Sequence, residues 1–200
     1  MKKIIAGLII VGVMASSTAF ASPLAKLEAG KGKIDASLSI SPGMKANGVD
    51  LDAKTRYRFG ATYGIGENMA VDYVYASNAG SILDSSVQSH QFNLDYQFNP
   101  YITAFGGFVW NKLKATGYGT DNTSGYQVGV QGRYPFNDKA TGWAKVGVGN
   151  TITQYEVGVG YDLTNNWEAN LFYNDSKYRG FEHDTSVSTH AINLGVSYKF

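Results

Sequence analysis

The sequence predicts an all-β fold, a transmembrane antiparallel up-and-down β-barrel of ten strands, with eight strands as the alternative. Three observations predict it. From His190 to Phe200 the chain places apolar or aromatic side chains at 192, 194, 196, 198 and 200, and small or polar ones at 191, 193, 195, 197 and 199. That strict period of two belongs to a strand whose faces meet different solvents. At the other end come Lys2 and Lys3, an apolar stretch over residues 4–14, and Ala19-Phe20-Ala21, a small-x-small cleavage site. These are the parts of a cleavable export signal over residues 1–21, its apolar stretch well short of the roughly 20 residues a spanning helix needs. Between the two ends, alternating segments repeat with turn residues between them, and no apolar run reaches helix-spanning length.

Each segment is justified by its alternation. Over 31–41, Ile34, Ala36, Leu38 and Ile40 oppose Lys33, Asp35, Ser37 and Ser39, and a polar loop with Pro42, Gly43, Asn47 and Gly48 follows. Over 54–65, Tyr57, Phe59, Ala61, Tyr63 and Ile65 oppose Arg56, Arg58, Gly60, Thr62 and Gly64. Gly66-Glu67-Asn68 turns tightly into 69–77, where Val71, Tyr73 and Tyr75 alternate with Asp72, Val74 and Ala76. The fourth segment, 87–98, sets Phe92, Leu94, Tyr96 and Phe98 against Gln91, Asn93, Asp95 and Gln97, and ends on the turn signal Asn99-Pro100. Residues 101–111 are apolar on both faces, so their orientation is not assigned. A loop with Gly117, Gly119, Asp121 and Asn122 leads to 125–134, where Tyr126, Val128, Val130 and Tyr134 oppose Gln127, Gly129, Gln131 and Arg133. The short segment 141–149 joins through Asn150-Thr151 to 152–163, where Tyr155, Val157, Val159, Tyr161 and Leu163 oppose Glu156, Gly158, Gly160 and Asp162. Thr164-Asn165-Asn166 turns into 167–174, and a loop over 175–187 precedes the terminal strand.

Longer connections follow the odd strands and shorter ones the even strands, with the seventh and eighth as the exception; if that pair is misread, an eight-stranded barrel is the alternative. The face of Gly, Ser, Asn, Gln and charge cannot line the apolar cavity of a soluble lipid-carrying barrel. Tyr57, Tyr96, Tyr134, Tyr161, Trp167 and Tyr198 lie near segment ends on the other face, where amphipathic rings form the girdles of a membrane barrel.

On these features the chain resembles the small bacterial outer-membrane β-barrel family typified by outer-membrane proteins A and X. The resemblance covers residues 31–200 and rests on the signal, on Tyr155-Glu156-Val157-Gly158-Val159-Gly160-Tyr161-Asp162-Leu163 before Thr164-Asn165-Asn166, and on the ending Ser197-Tyr198-Lys199-Phe200. It implies the cell outer membrane, reached by export through the periplasm, with the short turns periplasmic. It also implies an assembly signal at Leu194, Val196, Tyr198 and Phe200 for the barrel-assembly machinery, and contact with outer-membrane lipids and lipopolysaccharide. Cleavage after Ala21 exposes Ser22, which is not Cys, so no lipid anchor is expected. Residues 22–30 form a short periplasmic lead-in, read as a flexible terminus in preference to a partial plug. A barrel of this size stands alone, so a monomer is the default.

The inward face carries Asp35, Arg56, Arg58, Asp72, Asp95, Arg133, Lys145 and Glu156, balanced in sign. Asp35 falls diagonally across the first hairpin from Arg58, and in a narrow lumen such charges are expected to pair with one another. The set either braces a filled barrel or forms an eyelet for small solutes; ten strands with inward Gly could leave a narrow water path. His183 lies in Glu182-His183-Asp184, while His90 and His190 fall on the lipid-facing parity and are followed two positions on by Phe92 and Ile192 rather than Ser. No catalytic set converges, and three scattered His give no metal spacing. With no Cys and a net charge of +1, thiolate chemistry is excluded and nothing argues for nucleic acid. No cofactor is expected. The leading reading is a structural or surface-interaction barrel braced by lumen ion pairs. A low-conductance porin for small hydrophilic solutes comes second, and an outer-leaflet hydrolase third.

Overall fold

The computed structural model describes residues 22–117 and 119–200; the expected export signal, 1–21, lies outside them. Ten long strands follow one another: β1 Gly32–Ala46, β2 Tyr57–Gly66, β3 Met69–Ala79, β4 Ser86–Asn99 and β5 Ile102–Ala115. They continue as β6 Gly119–Pro135, β7 Ala140–Gly149, β8 Ile152–Asp162, β9 Trp167–Tyr178 and β10 Val187–Lys199. Each pairs antiparallel with its neighbour, a two-residue strand Val49–Asp50 folds back on the top of β1, and β10 pairs with β1 to close the barrel. The seventh and eighth segments are separate strands joined at Asn150-Thr151, so the eight-strand alternative is set aside.

The chain enters and leaves at one end, here the lower end. Its connections are short because side chains cap them: Asn99 Oδ1 accepts from the backbone N–H of Tyr101 (2.8 Å) and Ile102 (3.0 Å), and Asn137 Oδ1 from those of Lys139 and Ala140 (2.9 Å each). These local bonds make Asn a turn former. The closure seam lies at the same end. Gly32 N–H donates to the Phe200 carbonyl and Phe200 N–H to that of Gly32, both at 2.9 Å. A Cβ at Gly32 would fall 2.8 Å from the Phe200 ring, so glycine lets the last residue lie flat on the first strand.

Burial resolves the orientation that sequence left open. In β5, Thr103, Phe105, Val109 and Asn111 are buried inside, while Ile102, Phe108 (75% exposed) and Trp110 face outward. Terminal residues Ile192, Leu194, Val196 and Phe200 are exposed on the outer wall, whereas Asn193 and Ser197 are buried inside. Outer-wall aromatics cluster near the lower turns, with ring centres of Trp167–Tyr198 5.0 Å, Tyr96–Phe98 5.1 Å and Tyr134–Phe136 5.8 Å apart.

Three upper connections are shorter than expected. β1 runs on to Ala46, β6 begins at Gly119 and β9 runs on to Tyr178, so Pro42, Gly43, Asp121, Asn122 and Asp175 are ladder residues and not loop. Polar composition misled because these stretches rise above the apolar band, where water wets the outside but the backbone ladder continues. A bulge between Ser39 and Ser41 reverses the parity of β1, which turns Met44 inward.

Candidate functional site: the lumen

Residues 22–30 are not a flexible terminus; they are seated in the lower mouth. Ser22 is 2% exposed, and its Oγ donates to Glu168 Oε1 (2.6 Å) while its backbone nitrogen lies 3.2 Å from Asn170 Oδ1. Lys33 Nζ donates to the Ser22 carbonyl at 2.7 Å. Further along, Leu27 N–H donates to Gln97 Oε1 (2.9 Å) and Gln97 Nε2 to the Ala25 carbonyl (3.2 Å). The segment then crosses Gly64, where a Cβ would overlap the Glu28 carbonyl. Composition alone gave no sign of this because the partners Glu168, Asn170 and Gln97 are remote in sequence. At the exposed rim Lys26 and Glu28 pair, which holds the Glu28 carboxyl below its usual range and raises Lys26.

All eight charges expected inside do lie on the inner wall, but they do not form one network. Arg58 Nη2 crosses the lumen to Glu156 Oε1 at 2.5 Å, and not to Asp35 on the adjacent strand. Asp35 pairs instead with Lys33 at 3.3 Å on its own strand. Strand neighbours are fixed in register, whereas a barrel interior lets long side chains reach the opposite wall, so diagonal proximity did not choose the partner. Arg56, nearer the upper end, donates to Asn78 Oδ1 (2.6 Å) and to the His190 carbonyl rather than to a carboxylate. Asp72 accepts from Thr62 Oγ1 (3.0 Å) and Asn93 Nδ2 (3.2 Å), Gln131 Nε2 lies 3.5 Å from Asp95 Oδ2, and Arg133 Nη2 donates to Thr141 Oγ1 at 3.3 Å. Lys145 Nζ sits 4.4 Å from the Phe105 ring centre, a cation–π distance.

Lys199, which shares the inward parity, binds Asp162 Oδ1 and Glu168 Oε2 at 2.6 Å each. Glu168 was missed because the faces of its segment were not assigned. Among the described residues, the lower lumen thus holds Asp35, Asp72, Asp95, Asp162 and Glu168 beside Lys33, Lys145, Lys199 and Arg133. The Arg58–Glu156 pair above adds one of each sign. A cavity of about 20 Å³, lined by Pro23, Leu24, Asp35, Asp95 and Lys145 among others, has room for about one water.

Two further levels fill the interior above these charges. Gln91, Gln127 and Gln154, from β4, β6 and β8, bond across the lumen: Gln127 Nε2 to Gln91 Oε1 (3.0 Å), and Gln154 Nε2 to Gln91 Oε1 (2.9 Å) and Gln127 Oε1 (3.0 Å). Each is at most 1% exposed. At the upper mouth Met44, Leu51, Val87, Val109, Ile152, Tyr178, Phe181 and Val187 form a buried apolar cluster inside the barrel. The expectation of an inner face made of small, polar and charged residues therefore fails at this end. Its signal was present in the inward parity of Val87 and Val187.

The three histidines do not assemble with a nucleophile. The Tyr73 hydroxyl and His90 Nδ1 are 2.8 Å apart on the outer wall, where His90 also packs on Tyr75, with ring centres 4.9 Å apart. His190 faces outward over Gly43, and His183 is exposed in a single turn, Glu182–Asp184, at φ 55°. No group of three His, Cys, Asp or Glu among the described residues could hold a metal.

The family described as outer membrane protein beta-barrel domain matches residues 11–200. Among solved structures, Neisserial surface protein A (NspA) is similar with a TM-score of 0.53 and 14% identity, over 86% of this chain and 99% of that one. The Escherichia coli outer membrane protease OmpT is similar with a TM-score of 0.53 and 9% identity, over 86% and 97%. None of the curated proteins matches in sequence. Identities this low carry the fold and nothing of either protein's activity.

Proposed function

Because this chain belongs to the outer membrane protein β-barrel family, and is an integral barrel of the outer membrane, we propose that it is a closed, non-enzymatic barrel with a structural or surface-interaction role. One observation carries the reading: the lumen is occupied in succession by the seated lead-in with its charges, the Gln91–Gln127–Gln154 layer and the apolar cluster at the upper mouth. A conducting path needs continuous water, and an apolar constriction resists wetting even where it is not sterically shut. Ion pairs such as Arg58–Glu156 brace the wall from inside in this reading, leaving the upper rim as the surface offered to partners. Planar-bilayer recording of the purified barrel is expected to give no unitary steps. Stable steps that vanish or change selectivity in Arg58→Ala and Glu156→Ala would replace this reading with the low-conductance porin.

The outer wall supports lipopolysaccharide as the lipid partner. Lys112 and Lys114 on β5 and Lys177 on β9 have outward parity above Trp110 and Tyr173, where lipid phosphates meet the apolar band. Charge reversal in Lys112→Glu/Lys114→Glu is expected to reduce the stabilisation of the barrel against heat by lipid A-containing vesicles relative to phosphatidylethanolamine vesicles. Equal stabilisation of both forms by lipid A would remove these lysines from the argument.

A further inference from the structure

We infer that the lower mouth is a binding site for the α-ammonium group that removal of the export signal creates at Ser22, so that processing itself completes the seating of the lead-in. The inference rests on the sequence reading of a cleavage site after Ala21, and it holds whether or not the barrel conducts. Hydrolysis of that peptide bond adds water across it, leaving a carboxylate on Ala21 and an amine on Ser22.

The site is built for such a group. All three polar functions of Ser22 have buried partners on the barrel wall: nitrogen against Asn170 Oδ1, hydroxyl on Glu168 Oε1, and carbonyl under Lys33 Nζ. An amide nitrogen has one N–H to give, whereas an α-ammonium, the form held near neutral pH, has three. The nitrogen is separated from the hydroxyl by only two carbons, so the carboxylate that the hydroxyl already touches is within reach of the two additional donors. Glu168 is 2% exposed and its other oxygen is committed to Lys199. Buried charges are retained where they are paired and hydrogen-bonded, and a new terminus meets both conditions here. From the anchored residue the chain runs over Gly64, whose missing side chain makes room for Glu28.

The test uses the exported, membrane-assembled protein. Its amino-terminal residue is identified by mass spectrometry, and the α-amine is acylated with an amine-reactive ester in the folded and the heat-unfolded barrel, lysines being mapped separately. The expected result is a chain beginning at Ser22 whose α-amine reacts at least tenfold more slowly when folded. Glu168→Gln, or Asn170→Ala should that variant not assemble, is expected to bring the difference below threefold while folded migration on unheated gels is kept. Gly64→Ala, which leaves the pocket intact but displaces Glu28, should free the amine as well. A mature chain beginning at another residue overturns the inference, as does a Ser22 amine that reacts equally fast folded and unfolded. Protection that survives both the pocket variant and Gly64→Ala overturns it too.

Discussion

Deletion of Phe200 is expected to lower the amount of folded barrel in the outer-membrane fraction at least tenfold. Two contributions can be separated. In the finished barrel Phe200 supplies two backbone hydrogen bonds to Gly32 and lays its ring on that residue, beside Tyr198 at 6.4 Å between ring centres. At about 0.5–1.5 kcal/mol for each hydrogen bond, the seam loses on the order of 1–3 kcal/mol, which weakens a barrel without abolishing it. The larger loss arises during assembly, where the outward-facing side chains of Leu194, Val196, Tyr198 and Phe200 form the proposed signal of the closing strand. Unheated gels of membrane fractions report the folded population, and denaturant unfolding of whatever inserts reports the seam. A truncated chain that inserts at the normal level, with only its unfolding midpoint lowered, would assign Phe200 to the seam alone.

The sequence made the strands legible because each separates two solvents, and a period of two survives any choice of partner. That is why Asn193 and Ser197 could be placed inside and Leu194 and Val196 outside from the last eleven residues alone. Where the inner face is itself apolar the signal collapses: β5 carries Phe105 and Val109 inside and Phe108 and Trp110 outside, and no pattern distinguishes them. Met44 was hidden differently, since the bulge after Ser39 shifts the parity by one. Identifying inward charges was possible because burial follows from parity. Their pairing was not, because Arg58 and Glu156 are brought together only by closure of the barrel, which puts the opposite wall within reach of two long side chains. The seating of residues 22–30 belongs to the same class of fact: its partners lie on β4 and β9, and only the closed cylinder presents them at one mouth.

Removing one member of that cross-lumen pair is expected to be more damaging than removing both. Arg58 and Glu156 are nearly inaccessible, their side chains 4% and 0% exposed, so Arg58→Ala leaves a carboxylate and Glu156→Ala a guanidinium in a site closed to bulk water. Each single variant should lose about 3–5 kcal/mol in denaturant unfolding from lipid or detergent, the scale for an uncompensated buried charge. The Arg58→Met/Glu156→Leu double variant should recover most of that loss. Its apolar side chains meet the buried Phe172 ring, whose centre is 5.7 Å from the guanidinium carbon of Arg58 and 5.5 Å from that of Trp143. A double-mutant cycle decides what the pair contributes. Strong coupling with a stable double variant identifies the bridge as replaceable filling, whereas a double variant as weak as the singles shows that the charges themselves hold the wall. Losses under about 1 kcal/mol in both single variants would mean that water reaches this level of the lumen, and the closed-barrel proposal would fail with it.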